Sequence, residues 1–524
     1  MSKATQLLTA YQKAKADRQM VENLWRECFR FTYPLRGSQF RTSSTDGGTN
    51  AVDAAGTLAD SVFDATATDA VRGLASGLFG GMMPANAQWV ELTAEDPDEW
   101  LDEAAKTVWQ EIHAANFDQD GFDAVLDGVI AMGYLFIDDI NGELHFENWP
   151  TYTVMSSSSR AGGPIDTIHR EFALTAKQAV DAYGDMCSPD IKADAQSDGG
   201  KQWRFIQSIY PNPDYVQGSK FRKQLAFASC HLDLSNMSIV RESGYHENPV
   251  ACFRWDRIPG SSYAVGPVFS AMPSIRSLNE AMSLLMDNAE IAVKGMWKAK
   301  DDGVINPATI TLGGGRVVTV SDMNNFDALN PPGDINIAMA EIELLRADVR
   351  RVLMADYLVP PQGDMTKAEF LERLDIIRQM LGPAYGRINE FLQTIVTRCL
   401  GVLIRQGRIE QPPAYLAQGK GVSIRFTSPI ARAQRMHEVN SIMQYEANLG
   451  QLMAIDSQIG DNYDWDAATV EKAYLMGVPQ KLLRDKAAVI KIRKGRQEKQ
   501  MQAQQSHQQS QMELAMAPKL AKGS

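Results

Sequence analysis

Between Gly266 and Gly407 the chain carries the pattern that most limits its fold. Ile275, Leu278, Met282, Leu285, Ala289 and Val293 recur at steps of three and four, the spacing of one helix face. Gly266-Pro267 opens this helix, with proline in the first turn, and Met296-Trp297 ends it. About 24 helical residues span about 36 Å. A turn-rich insert follows: Gly303, Pro307, Gly313-Gly314-Gly315 and Pro331-Pro332-Gly333 surround the extended run Arg316-Val317-Val318-Thr319-Val320. A second helix is expected from Asn336 to Tyr357, with Ile342, Leu345, Val349 and Val352 on its apolar face. After a Pro/Gly loop, Thr366-Lys367-Ala368-Glu369 reads as a capping box. It starts a third helix to Arg405 that Gly382-Pro383 should kink. Two long helices joined by a small exposed module suit lining or building a structure better than holding a substrate.

The 524 residues allow two to four domains. Hydrophobic residues at 44% and charged residues at 22% argue against global disorder. The net charge of −12 argues against a protein that grips nucleic acid electrostatically. Cys28, Cys187, Cys230, Cys252 and Cys399 form no CxxC pair, so reduced, structural thiols are expected. The polar N-terminus does not read as a signal peptide. The most apolar run, 73–90, is interrupted by Gly73, Gly77, Gly80 and Gly81, so no transmembrane helix is expected.

Along the chain, helices are expected over 4–33, from Thr57 to a stop at Phe79-Gly80-Gly81-Met82-Met83-Pro84, over 96–116 and over 122–132. Trp89-Val90-Glu91-Leu92 reads as a strand. From Gly133 the period changes to short strands. Asn141-Gly142 is a hairpin signal between Ile137 and Leu144. Further strands are expected near 152–155, 167–172, 203–210, 224–234, 237–241 and 250–256, with a helix over 175–183 and a polar loop over 186–201. The region is α+β with a mainly antiparallel sheet. After Gly407 come a strand over 422–426, helices over 430–447 and 465–475 and from Gln480 onward, and a Gln-rich tail.

Enzymatic signals are absent. Gly313-Gly314-Gly315 lacks GxGxxG spacing, and Gly419-Lys420 lacks the rest of a P-loop. Asp118-Gln119-Asp120-Gly121 lacks the remaining ligands of a calcium loop. The seven histidines do not pair at metal spacing, so no metal or cofactor is expected.

The order of elements resembles the phage portal proteins, and in particular the head-to-tail connectors of T7-like podoviruses. Leu74-Ala75-Ser76-Gly77-Leu78-Phe79, with Pro84 and Trp89-Val90-Glu91-Leu92 after it, is similar to that family's "LAS-x-L…LFP…W-x-x-L" region. Gly133-Tyr134-Leu135-Phe136 resembles its "G-N-x-L-L-Y" strand. Ser262-Tyr263-Ala264-Val265-Gly266-Pro267, followed by Ile275-Arg276-Ser277-Leu278-Asn279, resembles its entry into the first stem helix, although Ala264-Val265-Gly266 replaces a tighter Tyr-Gly pair. Met365-Thr366-Lys367-Ala368-Glu369 resembles the start of its kinked helix, with the alanine one place later. The resemblance covers roughly residues 5–495.

This resemblance implies a portal-type α+β fold and a ring of twelve copies at one capsid vertex of the virion, assembled in the host cytoplasm. It implies a wing over 1–265, stem helices over 266–297 and 336–357, and a clip over 298–335 between them. A channel loop over 358–365, a kinked wing helix and strand over 366–428, and a helical crown over 429–524 complete the division. The ring would conduct double-stranded DNA during packaging and ejection. Its partners would be the terminase large subunit, a tail adaptor, capsid and scaffolding proteins, and internal core proteins; no membrane is implied. An acidic conduit fits that role, because each neutralised phosphate adds grip and an acidic wall lets the duplex slide.

Gln362, Gly363, Asp364, Met365 and Lys367 then mark the loop nearest DNA; otherwise they form a helix–helix linker. Lys294, Trp297, Lys298, Lys300 and Arg316 mark the stem–clip surface for motor or tail; otherwise the lysines complement a helix C-terminus. Gly382 and Pro383 mark the kink. Arg484, Lys486, Lys491, Arg493, Lys494 and Arg496 lie in a run with local charge +5 from Arg484 to Lys499; it faces packaged DNA or is a solvated helix end. The alternatives from other classes are a DNA-processing enzyme subunit, nuclease or packaging ATPase, and a non-ring head–tail adaptor.

Overall fold

The computed structural model describes residues 2–40, 56–94, 99–160, 162–294, 296–299, 326–329, 335–355, 383–413, 423–426, 429–453 and 457–476, together with 478, 482, 484, 489–496, 498–499 and 501. Two units separate by contact: 1–81 with 114–401, and 82–113 with 402–524.

The first unit is organised by a helix laid across a sheet. Helix α1 (Lys3–Thr32) starts at Ser2, whose hydroxyl accepts the Thr5 amide at 3.2 Å. The sheet has strand order β4-β5-β6-β7-β8, with β4 Val154–Ser157, β5 Thr167–Thr175, β6 Gln202–Pro211, β7 Phe227–Asp233 and β8 Ser238–Tyr245, and all its pairings are antiparallel. Leu7 packs on Cys230 and Leu232, and Tyr11 and Ala14 pack on Met155 and Ile206. Arg18 closes the crossing by donating to the Tyr152 and Val154 carbonyls at 2.6 and 3.2 Å. Side chains alternate along a strand, so Phe205, next to Ile206, faces the other way. There it packs with Ala179 of helix α5 (Ala176–Tyr183) and Ile191 of helix α6 (Pro189–Ser197).

Helix α6 replaces the expected polar loop. Its stop-and-start signals are local: the Ser188 hydroxyl caps the Ile191 amide, and Pro189 occupies the first turn. Only Ile191 is buried on it, which explains why no apolar period announces it. Helix α2 runs Thr66–Met82, not Thr57–Leu78. Its start moves because the Asp64 carboxylate takes the Thr66 amide at 2.8 Å and restarts the chain as a helix. It also continues through Gly80 and Gly81, so those glycines do not stop it.

A second sheet, β3-β2-β9, comprises β2 Met132–Ile140, β3 Glu143–Asn148 and β9 Val250–Arg254. Asn141 and Gly142, with φ of 55° and 84°, form its hairpin turn. Helix α4 (Phe117–Ile130) packs on β2 and β3. The fully buried Phe117 and Phe146 rings lie 5.2 Å apart across that contact.

The second unit contains a two-stranded antiparallel ladder, β1 (Val90–Thr93) with β12 (Ser423–Phe426). Helix α3 (Glu99–Ala114) stands beside it, and the Trp89 indole donates to His113 at 2.9 Å. Helices α10 (Pro429–Met453) and α11 (Trp465–Leu475) are tied by Lys472 to Glu446 at 2.6 Å. Among the described residues no helix is long and apolar enough to cross a membrane.

Two histidines in the five-stranded sheet make the first unit acid-sensitive. His169 is fully buried against the Ser208 hydroxyl at 2.8 Å, and burial lowers its pKa to about 4. His231 bonds the Tyr183 hydroxyl at 2.9 Å, and burial, with Arg241 and Arg170 nearby, lowers it to about 4. The unfolded chain binds these protons near pH 6.5, and the folded chain only near 4. Stability from the neutral rings is therefore complete above about pH 6.5 and is lost as pH falls toward 4, by up to about 3 kcal/mol for His169. Urea midpoints from pH 7.5 to 4.5 should fall, and His169→Gln should flatten the slope.

Candidate functional site

A helix pair, anchored at its base and carrying a strand ladder at its far end, is the feature that function must use. Helix α7 (Pro267–Lys294) has 28 residues and helix α8 (Ile335–Val352) has 18, about 42 and 27 Å of axis. They pack against each other. The base of α7 is fixed by α1: the Trp25 indole donates to the Ala264 carbonyl at 2.9 Å, and the Tyr263 hydroxyl donates to the Ala14 carbonyl at 2.9 Å. The Trp25 and Tyr263 rings meet edge-on at 5.6 Å. Arg276 pairs with Glu27 of the same α1.

A strap from the segment before α2 then ties both helices. The Asn279 amide donates to the Ser61 carbonyl at 3.0 Å, and its oxygen accepts the Phe63 amide at 2.8 Å. Three residues on, Asp64 accepts Arg346 of α8 twice, at 2.8 and 2.9 Å. The Asp64 side chain is only 4% exposed. Burial alone would raise its pKa, but hydrogen bonds from Thr66 and Arg346 outweigh burial and hold it below the usual carboxylate range. Between the helices the Ser274 hydroxyl donates to Asp348 at 2.5 Å.

Burial changes along the pair. Val268, Ala271, Met272, Ile275 and Leu278 are buried, and among the residues of α7 with described side chains nothing beyond Leu278 is. Met282 and Leu285 of the expected apolar face are half-buried, and Ala289 is exposed. On α8, Ile342 and Val349 are buried and Leu345 and Val352 half-buried. Leu284 (57% exposed), Met286, Ile337, Met339 and Leu344 (73%) stand exposed to solvent. Beyond α7, strand β10 (Met296–Ala299) pairs antiparallel with β11 (Phe326–Leu329), Trp297 opposite Ala328 and Lys298 opposite Asp327.

Lys294 ends α7, and Trp297 and Lys298 lie in β10, so the backbone brings these three sequence-marked residues to one end of the pair. Lys300, Arg316 and the extended run 316–320 lie outside the described residues, as do Gln362, Gly363, Asp364, Met365, Lys367 and Gly382. Pro383 is the first residue of helix α9 (Pro383–Gln406), where a proline is tolerated. In the basic run, Arg484, Lys491, Arg493, Lys494 and Arg496 are exposed, and Lys486 lies outside the described residues. Arg493 forms a two-pronged pair with Asp466 at 2.5 and 2.6 Å, so part of that run is neutralised within the chain.

The strap, Arg346 and the exposed leucines leave little mark in the sequence. Asp64 and Arg346 are 282 residues apart, and a charge pair at that separation has no local pattern. Leu344 and Leu284 could have been found: each is an apolar residue lying off the buried face of its helix. Among the described residues no group of His, Cys, Asp and Glu could hold a metal.

Residues 4–483 match the family model described as bacteriophage head to tail connecting protein. Two relatives span nearly the whole chain. The "Probable portal protein" of Bordetella phage BPP-1 is 25% identical over 539 aligned positions, covering 95% of this chain and 92% of the relative. The "Portal protein" of Salmonella phage epsilon15 is 25% identical over 529, covering 95% and 92%. Among solved structures, a chain of the "Neck of empty GTA particle computed with C6 symmetry" is 14% identical, with a TM-score of 0.31 over 70% of this chain and 84% of that one. A chain of the "Virion of native gene transfer agent (GTA) particle" is 14% identical, with a TM-score of 0.33 over 79% and 89%. The family match spans most of both units, including the anchored helix pair, and this chain belongs to the bacteriophage head to tail connecting proteins, a structural rather than an enzymatic family.

Proposed function

We propose that this chain is a portal subunit of the T7-like podovirus type. Copies close into a ring of twelve at one capsid vertex, where the head joins the tail, and the ring conducts double-stranded DNA during packaging and ejection. The observation that carries this reading is the set of exposed apolar side chains on α7 and α8: Leu284 and Met286 past the last buried residue of α7, Ile337 and Met339 before the first buried residue of α8, and Leu344 off its buried face. Burying a leucine, isoleucine or methionine side chain contributes about 1.5–3 kcal/mol, and a soluble monomer gains nothing by displaying five such residues on two firmly anchored helices. A neighbouring copy of the same pair covers them, which makes α7 and α8 the stem.

The segment 298–335 is then the clip that meets the terminase large subunit and later the tail adaptor, with Lys294, Trp297 and Lys298 at its root. The segment 358–365, with Lys367 just beyond, is the channel loop. Residues 1–265 and 366–428 form the wing, which meets capsid and scaffolding proteins, and 429–524 the crown, where Arg484, Lys491, Lys494 and Arg496 face the packaged genome. The net charge of −12 per copy keeps the wall from gripping the duplex.

Leu284→Glu combined with Leu344→Glu tests the seam. Both side chains are exposed in the single chain, so the unfolding free energy of the isolated subunit should stay within about 0.5 kcal/mol of the parent subunit's. Ring mass in native mass spectrometry should give way to monomer. Rings that persist unchanged would show that these faces are not the seam.

A further inference from the structure

The β6–β7 connection is built as a docking tip. Its backbone is fixed from within: the Asn212 amide donates to the carbonyls of Lys223 and Leu225 at 2.9 and 2.7 Å, and the Val216 amide donates to the Gln224 carbonyl at 3.0 Å. The Ser219 hydroxyl donates to Gln224 at 2.7 Å and accepts the Phe221 amide at 3.2 Å. The Arg222 carbonyl lies so close to β8 that a Cβ on Gly244 would stand 2.2 Å from it. This ordered loop nevertheless presents Phe221 (75% exposed), Tyr215 and Val216 to solvent. Beside them in sequence stand Lys220, Arg222 and Lys223, against Asp214 and the Glu242 carboxylate that reaches Lys223 from β8, a cationic excess on a chain of net charge −12. Lys223 is held by Glu242, while Lys220 and Arg222 have no ion pair among the described residues. Ordered aromatic and arginine side chains lose little entropy on binding and are the usual anchors of protein interfaces.

Position says which partner fits. Glu242 bonds both Lys223 of the tip and Lys3 of α1, whereas Arg276 of α7 bonds Glu27 of α1. The tip and the base of the helix pair therefore sit near opposite ends of α1, about 36 Å apart along its axis. We propose that the 212–224 tip docks a polypeptide other than this chain, through an apolar pocket on that partner ringed by carboxylates. Phe221 fills the pocket, and Lys220 and Arg222 pair with the rim. The inference rests on the ring reading only in taking α7 and α8 as the seam, which leaves the tip free once the ring has closed.

The test places a photo-crosslinker at the tip in assembling particles, Phe221→p-benzoylphenylalanine in the full-length chain, with ring mass measured in parallel. The expected product joins this chain to a different polypeptide at an acidic segment. Lys220→Glu with Arg222→Glu should lower its yield at least tenfold while rings still form. Gly244→Val, which pushes the tip off β8, should lower it similarly. Cross-links to a second copy of this chain, cross-links to DNA, or none at all from intact rings would overturn the proposal. Absence of rings in the unmodified protein would count against the ring reading and leave the cross-link as the separate readout of the tip.

Discussion

Replacing Gly266 by alanine is expected to be among the most damaging single-atom changes in the chain. A Cβ at this position would stand 1.8 Å from the Val129 carbonyl oxygen and 2.4 Å from its carbon, both in the backbone of α4. A flexible side chain could swing away, but a helix backbone cannot. The start of α7 must therefore move, away from the Ala264 carbonyl that Trp25 holds and out of line with the Asn279 strap. Overpacking typically costs 1–3 kcal/mol and more where nothing yields, so a loss of about 3 kcal/mol or more is expected, with impaired ring formation. Gly80→Ala is the control. Nothing lies within 4 Å of a Cβ there, and alanine inside a helix should be neutral or stabilising by up to about 1 kcal/mol. Thermal unfolding of the two variants, side by side, checks the difference.

Removing Arg36 is expected to produce a loss of similar size by another route. The Asp127 side chain is 1% exposed, and its principal partner is the Arg36 guanidinium, with Asn148 at 3.4 Å as a weaker one. Asp123, 2.8 Å from the same arginine, is 40% exposed and can return to water; Asp127 cannot. Arg36→Ala therefore strands a buried carboxylate between α4 and β3, at a cost of about 3–5 kcal/mol at neutral pH. Burial already holds the folded-state pKa of Asp127 above its unfolded value despite Arg36, and losing the arginine raises it further, so the folded form is favoured when protonated. The deficit should be smaller at pH 4.5 than at pH 7.5, opposite in trend to the histidine effect of the parent. Asp127→Asn in the Arg36→Ala background should recover part of the loss at pH 7.5, because the neutral amide does not need a cation. Urea unfolding at both pH values measures each of these.

What the sequence reveals divides by range. The Asn141-Gly142 turn, the capped helix after Thr175 and the helix Trp465–Leu475 are legible because a few adjacent residues carry their chemistry. The alternation that places Phe205 and Ile206 on opposite faces of a sheet is equally local. Helix α6 hides because it buries one residue, and the restart at Thr66 hides because an aspartate two residues earlier decides it. For the candidate site, the helix–insert–helix order is legible from periodicity. The strap is not: Asn279 with Ser61, and Arg346 with Asp64, meet only after α1, α7 and α8 are in place. Gly266 is intermediate. The sequence marks it as a helix entrance, and only the Val129 carbonyl shows why nothing larger fits.

The ring itself can be weighed. Native mass spectrometry of the purified full-length chain, with electron microscopy of the same sample, should give one discrete closed assembly of twelve copies with an axial opening. A protein that stays monomeric under every assembly condition, with Leu284 and Leu344 in contact with solvent throughout, would contradict the portal reading.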